Sequence, residues 1–377
     1  MSLPDLAGAF RARFGAEPRL FQAPGRINII GEHTDYSGGF VLPAAIDRWC
    51  VAAAAPNGRS ILRVASATLG EEVELDLAAL GRRGDWTDYV AGVAATLLQA
   101  GAPVAGADLL IESDVPMGAG VSSSAALEVA VTLALLALAG RTADGRQVAL
   151  WAQAAENDFV GVPCGIMDQF ASANGVAGGA VMLDCRSLEA TPAHLPEGAG
   201  FLLVNSMAER RLASGEYRAR REDCEAAAAA LGVPSLRDVG LADLPAALGR
   251  LDGGPARRCR HVVSENARVL AAMKAMALGD LPGLGRLMDQ SHQSLSDDME
   301  VSLPALDRLA RIARATPGVH GARMMGGGFG GCVIALVDQD RAAAAMAAIQ
   351  AAYGAEIGQV PDAFLCRTVG GAAEVRP

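Results

Sequence analysis

Residues Pro116 to Leu127 read PMGAGVSSSAAL. The run before them, Ala107 to Ile111, is apolar with polar interruptions and reads as a strand. The run after them, Ser123 to Ala139, is rich in Ala, Leu and Val, suits a buried helix, and stops at Gly140, a good C-terminal cap. A strand therefore enters a Gly-rich turn that opens into a helix. Gly118 and Gly120 let the backbone bend tightly and come close to a ligand. The first helical N–H groups have no partner inside the helix, and the helix dipole adds partial positive charge there. The stretch reads as an anion site made of backbone. The alternative is that Ser122 to Ser124 only cap a helix after an ordinary turn.

The lysine inventory narrows what such a site belongs to. The chain holds one lysine, Lys274, far away in an Ala/Met-rich helical stretch. A P-loop needs its lysine inside the Gly-rich loop, and a protein kinase needs one on an early strand. Both are excluded. A nucleotide bound by this loop is bound without lysine.

At 377 residues the chain is long enough for two domains with a core each. Half of it is apolar and a fifth charged, which is globular composition and not disorder. The net charge of −10, with no basic block, argues against nucleic acid or an anionic membrane as partner. It leaves room for an anionic small substrate where a metal ion and a helix N-terminus supply local positive charge. Seven scattered cysteines without a CxxC pair read as reduced thiols of a cytoplasmic protein. The N-terminal MSLPDLAGAFRARFG has no signal-peptide pattern; its Leu3, Leu6, Phe10 and Phe14 suit a short amphipathic helix ending at Gly15. The longest uncharged apolar run, Val129 to Ala139, is too short for a bilayer.

Along the chain, Leu20 to Ile30 starts strand-like and is interrupted at Pro24-Gly25, and Ile61 to Leu77 alternates as one or two strands. Trp86 to Ala100 and Gln147 to Phe159 read as helices, and Ala180 to Asp184 and Gly200 to Val204 as short strands. After about Asn205 long helical stretches follow, at Glu209 to Leu231, Ala256 to Leu278, Leu281 to Leu295 and Pro304 to Thr316. A strand-like ARMM then leads into GGGFGG and a strand at Cys332 to Val337, before an Ala-rich helix and a last strand at Ala363 to Val369. The expectation is an α+β protein in two lobes, 1–205 and 206–377, with ligands at their junction.

Three further segments carry chemistry. In APGRINIIGEHTDYSGGFVLP, Ala23 to Pro43, charged and polar groups at Arg26, Glu32, His33 and Asp35 surround an apolar INII. On a strand His33 and Asp35 would share a face opposite Glu32; in a Gly-flanked loop all three converge. Two carboxylates and an imidazole at one spot suit a polyhydroxylated ligand, with a surface turn carrying an Arg–carboxylate pair as the alternative. In CGIMDQF, Cys164 to Phe170, Asp168 sits among apolar neighbours, either as a general base or charge-stabilising carboxylate or as a helix N-cap. Glu156, upstream on a predicted helix, is a candidate ligand for a hard cation. The GGGFGG run, Gly326 to Gly331, costs much backbone entropy and marks a loop that approaches another backbone or a phosphate.

Together these segments resemble the GHMP small-molecule kinases, and within them the galactokinases. The nucleotide motif is PMGAGVSSSAALE (116–128), the C-terminal motif RMMGGGFGG (323–331), the sugar signature GRINIIGEHTDYSGGFVLP (25–43) and the catalytic segment CGIMDQF (164–170). The resemblance runs nearly end to end. It implies a two-lobed fold with an N-terminal lobe like ribosomal protein S5 and a ferredoxin-like C-terminal lobe with added helices. It implies transfer of the γ-phosphoryl of ATP to the anomeric hydroxyl of α-D-galactose, the entry step of galactose catabolism, with no obligatory protein partner. By position Asp168 matches the catalytic aspartate and Arg26 the arginine that stabilises the transition state. Glu32, His33, Thr34, Asp35, Gly165 and Tyr217 match the sugar-binding residues. Gly118, Ala119, Gly120, Val121, Ser122, Ser123 and Ser124 match the phosphate loop, and Ser124 and Glu156 the Mg²⁺ ligands. The alternatives are a related C1 sugar kinase, such as one for N-acetylgalactosamine, and a non-catalytic galactose sensor. Thr34 favours plain galactose over the first, and the intact SSSAA with Asp168 disfavours the second. Two positions depart from the family pattern: Met325 stands where threonine is usual, and Ser37-Gly38-Gly39 follow the signature tyrosine.

Overall fold

In the computed structural model, residues 2–208 and 213–376 are described. Helix α1 (Leu3–Phe14) is closed by Ser2 in a capping box and by Gly15 in the left-handed region, and its Leu6, Ala7 and Phe10 are buried. It lies on a six-stranded sheet built from β1 (Arg19–Asn28), β3 (Pro43–Pro56), β4 (Ile61–Ser66), β5 (Glu71–Asp76), β6 (Ala107–Ser113) and β13 (Ala373–Val375); β2 (Phe40–Val41) belongs elsewhere. The strand order is β13-β1-β3-β6-β4-β5, antiparallel except for β4 beside β6. The Pro24-Gly25 interruption does not end β1. It is a bulge against β3, with Pro24 opposite Trp49 and Arg26 opposite Ala45.

Helix α2 (Thr87–Gln99) and helix α3 (Ser123–Leu138) cover this sheet, with α3 directly over β1 and β3. Ala52 and Ala54 of β3 explain the fit: small side chains on that face let a helix apolar on nearly every face settle close to the strands, while Ala53 and Ala55 face α1. Helix α4 (Gly145–Ala154) passes directly into one π-helical segment, Ala155–Val160. The helix expected at Gln147 to Phe159 therefore changes its winding where Glu156 lies, and such widened turns frequently mark functional sites. Helix α5 (Met167–Asn174) follows, and then a three-stranded sheet of β2, β7 (Gly179–Asp184) and β8 (Ala190–His194).

The second sheet has the order β10-β11-β9-β12, from β9 (Ala199–Asn205), β10 (Val319–Met324), β11 (Cys332–Asp338) and β12 (Ala363–Cys366). Its helices are α6 (Ala213–Leu231), α7 (Leu244–Leu248), α8 (Gly253–Ala277), α9 (Leu281–Asp297), α10 (Pro304–Arg314) and α11 (Ala342–Ile357). The helical stretch expected from Glu209 is seen from Ala213; residues 209–212 lie outside the described residues. Helix α9 rests backbone to backbone on β10. A Cβ at Gly285 would lie 2.0 Å from the His320 carbonyl oxygen, and one at Gly321 would lie 2.2 Å from that of Gly285. Only hydrogen fits at both positions, which fixes the place of β10 under the helix.

Two features differ from the linear division at 205. Strand β9 pairs with β11 and β12, so the second sheet takes a strand from before the expected boundary. The expected last strand stops at Cys366, and the chain then returns to the first lobe, bridging Ile46 to Thr368 and adding β13 beside β1. Among the described residues no helix is long and apolar enough to cross a membrane.

Candidate active site

Between the lobes lies a cavity of about 290 Å³ lined by the sequence-singled residues Arg26, Glu32, His33, Asp35, Glu156, Gly165, Asp168 and Tyr217. Gly326, Gly327 and Gly328 of the second Gly-rich loop complete the wall. The chain between β1 and β2 is a loop and not a strand, with His33 at φ +60° and a single 3-10 turn at Asp35–Ser37. That is why Glu32, His33 and Asp35 converge instead of alternating.

Arg26 projects from β1 just past the bulge and is almost wholly buried. Its Nε donates to Asp168 Oδ1 at 2.8 Å and its Nη2 to Asp168 Oδ2 at 2.7 Å, a bidentate pair. Its Nη1 donates to the Gly120 carbonyl at 2.5 Å. Asp168 lies within the first turn of α5 and caps nothing, because Ile166 is the N-cap. Ser122 Oγ donates to Asp168 Oδ2 at 2.6 Å. Ser122 holds the left-handed backbone at φ +64° and makes no side-chain cap of α3. Its hydroxyl is thus no helix cap in this structure; its hydrogen is directed to Asp168. Both carboxylate oxygens of Asp168 are thus engaged by Arg26, and Ser122 adds a further bond to Oδ2.

The sugar-signature residues divide by what already holds them. Glu32 Oε1 accepts the Gly326 N–H at 2.8 Å. Asp35 Oδ1 accepts the Tyr36 N–H at 2.9 Å; burial, and then the charge of Asp168, push its carboxyl up to about 7. His33 Nδ1 lies 2.9 Å from the Tyr36 hydroxyl and Nε2 3.3 Å from the Gly327 carbonyl. Nε2 therefore carries the proton and Nδ1 accepts. Burial, with His261 next, holds the ring's pKa down at about 3, so it is neutral. With both nitrogens committed, His33 supplies a wall, packed edge-to-face or tilted among Tyr36 and Tyr217 with ring centroids 5.3–5.8 Å apart. Thr34 is not on the wall at all. Its hydroxyl is buried 2.9 Å from the Gly31 carbonyl and 2.7 Å from the Phe40 carbonyl, and its single hydrogen is shared between them. Its expected sugar contact is replaced by closing the loop.

The phosphate loop keeps its left-handed Gly118 and Gly120, but the Ala119 and Val121 side chains are buried in the core and leave only backbone for a ligand. The first bond inside α3 runs from the Ala126 N–H to the Ser122 carbonyl. Ser123 and Ser124 face a second cavity of about 400 Å³, walled by Leu69, Trp86, Tyr89, Met117 and Leu127. Sequence reading did not find this pocket. Its walls come from β3, the β4–β5 turn, α2 and the loop, and no local pattern links them. Met325 is wholly buried in the core cluster shared by the two lobes, a hydrophobic filler in place of a hydroxyl.

Glu156 completes the site from the π-helical segment. It accepts from Gln169 Nε2 at 2.6 Å and is hydrogen-bonded by Ser124. Burial and then Asp168 push its carboxyl up to about 7. One carboxyl group and one hydroxyl, both hard oxygen donors, stand together beside the cavity. That donor set fits a small divalent cation that retains water ligands. Among the described residues no group of three or more His, Cys, Asp or Glu forms a self-contained metal site.

Two curated relatives, from Chloroflexus aggregans and Chloroflexus aurantiacus and both named galactokinase, are 45% and 46% identical over 372 residues, 97% of this chain and 95% of theirs. The chain belongs to the galactokinase family. A galactokinase galactose-binding signature matches residues 8–56, the GHMP kinases N terminal domain matches 88–176 and the GHMP kinases C terminal domain matches 272–355. The crystal structure of Lactococcus lactis galactokinase complexed with galactose superposes with a TM-score of 0.95 at 34% identity, over 99% of this chain and 100% of that one. Methanococcus jannaschii mevalonate kinase, at 17% identity and a TM-score of 0.70, shares the fold alone. The galactokinase family membership and the α+β GHMP architecture are thus established together, and the enzyme is a sugar kinase.

Proposed function

We propose that this enzyme transfers the γ-phosphoryl of ATP to the anomeric hydroxyl of α-D-galactose. The observation that carries the reading is one shared carboxylate: Asp168 belongs both to the cavity lined by Glu32 and Asp35 and, through Ser122, to the N-terminus of α3. Galactose occupies the first cavity, where Glu32 and Asp35 accept from its hydroxyls and Tyr217 packs beside it. The nucleotide base takes the second cavity between Trp86 and Met117, and the phosphates lie over the unpaired N–H groups of α3. Phosphoryl transfer asks mostly for positioning and charge stabilisation, so a backbone cradle serves without lysine. Ser124 and Glu156 would hold Mg²⁺. When bound, it supplies positive charge to the phosphate oxygens.

Asp168 accepts the acceptor hydroxyl's hydrogen bond, and Arg26 fixes the plane of that carboxylate. Ser122 keeps Oδ2 occupied. Ser122→Ala is accordingly expected to lower kcat by about 10-fold, the equivalent of about 1.4 kcal/mol, with both KM values little changed. Steady-state kinetics checks this, and an unaltered kcat would remove the serine from the mechanism.

The free thiols at Cys50, Cys164, Cys185, Cys224, Cys259 and Cys366 support a reducing, cytoplasmic setting for the enzyme. A coupled ADP-release assay across galactose, glucose, N-acetylgalactosamine and arabinose tests the substrate. The expected result is ATP-dependent turnover with galactose preferred. Preference for another sugar, or no turnover on galactose, overturns the reading.

A further inference from the structure

The sugar loop is held largely from the other lobe. The Gly31 N–H donates to Glu265 Oε1 at 2.9 Å, and His261 Nε2 reaches the Glu32 carbonyl at 2.9 Å, both from α8. The central member is Arg323, on β10, with no exposed surface. Its Nε donates to the Ile29 carbonyl at 2.8 Å, its Nη1 to the Met324 carbonyl at 3.0 Å, and its Nη2 to the Asn28 carbonyl. Nη2 also pairs with Glu32 Oε1 at 3.3 Å. One guanidinium thus touches the end of β1, its own strand and a carboxylate of the sugar cavity.

We propose that Arg323 is a positioning residue for the acceptor sugar, acting through Glu32; this rests on the galactokinase reading of the cavity. Arg323 and the Gly326 N–H both hold Oε1, and among the described residues no donor is assigned to Oε2. One oxygen of Glu32 is fastened to the second lobe and the other is left for a sugar hydroxyl. A carboxylate fixed this way binds without first losing rotamer freedom. Asp35, by contrast, takes a hydrogen bond from the backbone beside it. Lysine cannot substitute, because a single ammonium cannot span carbonyls on two strands and a carboxylate in one plane. The β10 position is itself set by the glycine contact with α9, so the arginine approaches from a fixed base.

The test compares Arg323→Lys and Arg323→Gln with Glu32→Gln and the Arg323→Lys/Glu32→Gln double variant. Thermal melting establishes folding, steady-state kinetics gives both KM values, and calorimetry measures galactose binding without ATP. Wild-type turnover of galactose is measured first; its absence overturns the proposed function and this assignment together. With wild type active, the expected result for Arg323→Lys is a rise of about 10-fold in the galactose KM at nearly constant kcat and ATP KM, the pattern of lost ground-state binding. The double variant is expected to bind galactose no worse than Glu32→Gln alone, because coupled partners are non-additive. Three outcomes overturn the inference while leaving the proposed function intact. The galactose KM does not change, or the two effects multiply in the double variant, or neither arginine variant folds. The last would make Arg323 a purely structural residue.

Discussion

Asp168→Asn is expected to lower kcat by about 10²–10⁴-fold, the usual worth of a positioned base, while the galactose KM moves far less. The amide keeps the shape of the carboxylate but not its charge or its acceptor pair. Arg26 Nε and Nη2 now donate to Oδ1 and Oδ2 together, and Ser122 adds a third bond. Asparagine offers one oxygen to these three donors, and its NH₂ must face a guanidinium or a hydroxyl. The acceptor hydroxyl then meets no full acceptor. The Arg26 side chain is 4% exposed and that of Asp168 30%, so the pair is buried mainly on the arginine side. Stripping a buried charge of its partner also destabilises the fold, and a melting curve beside the kinetics separates that loss from lost chemistry. Near-normal turnover in a folded Asp168→Asn enzyme would refute the assigned role.

Gly165→Ala carries the second large effect, and by geometry alone. A Cβ at Gly165 would lie 1.8 Å from Asp35 Oδ2 and 2.1 Å from its Cγ. No real contact is that short, so one of the two must move. Gly165 does not occupy the left-handed backbone region, and alanine meets no local penalty there. The preceding Cys164 is tied down on both sides, its N–H donating to Asn157 Oδ1 at 2.7 Å and its carbonyl accepting from Asn157 Nδ2 at 3.2 Å. The displacement therefore falls on Asp35, which turns away from the cavity. Misplacement by about 1 Å can cost about 10²-fold, and a loss of that order in kcat/KM for galactose is expected, with the ATP KM unaffected. Equal losses for both substrates would show that the change disturbs the whole site.

These predictions draw on residues that the sequence exposes unevenly. The strand, Gly-rich loop and helix around Pro116 to Leu127 were readable because each signal is local: a strand-like run, paired glycines and a long apolar helix. The clustering of Glu32, His33 and Asp35 was readable because a Gly-flanked loop holds all three in one short segment. What escaped depends on partners far along the chain. The Ser122 hydroxyl was placed in the phosphate loop, with a helix cap as the alternative, and its acceptor lies 46 residues away. Thr34 looked like a ligand and instead closes its own loop. Strand β9 was recognised as a strand, but its pairing with β11 and β12 is set by tertiary register, which a short apolar run does not encode. The second cavity is assembled from four separated segments, and Arg323 lay unused in a motif read for its glycines.

The pairing of β13 with β1 has a consequence for synthesis. Arg19 on β1 meets Glu374 on β13, a partner made 355 residues later. At about 5–20 residues per second, roughly 20–70 s of elongation separate the two. Through that interval the strand that bears Arg26 has an unpaired edge, with open N–H and carbonyl groups that invite the wrong neighbour. The sheet beneath the Arg26–Asp168 pair is therefore sealed by a segment translated long after β1, and a nascent chain stalled before it is left with an adhesive flank.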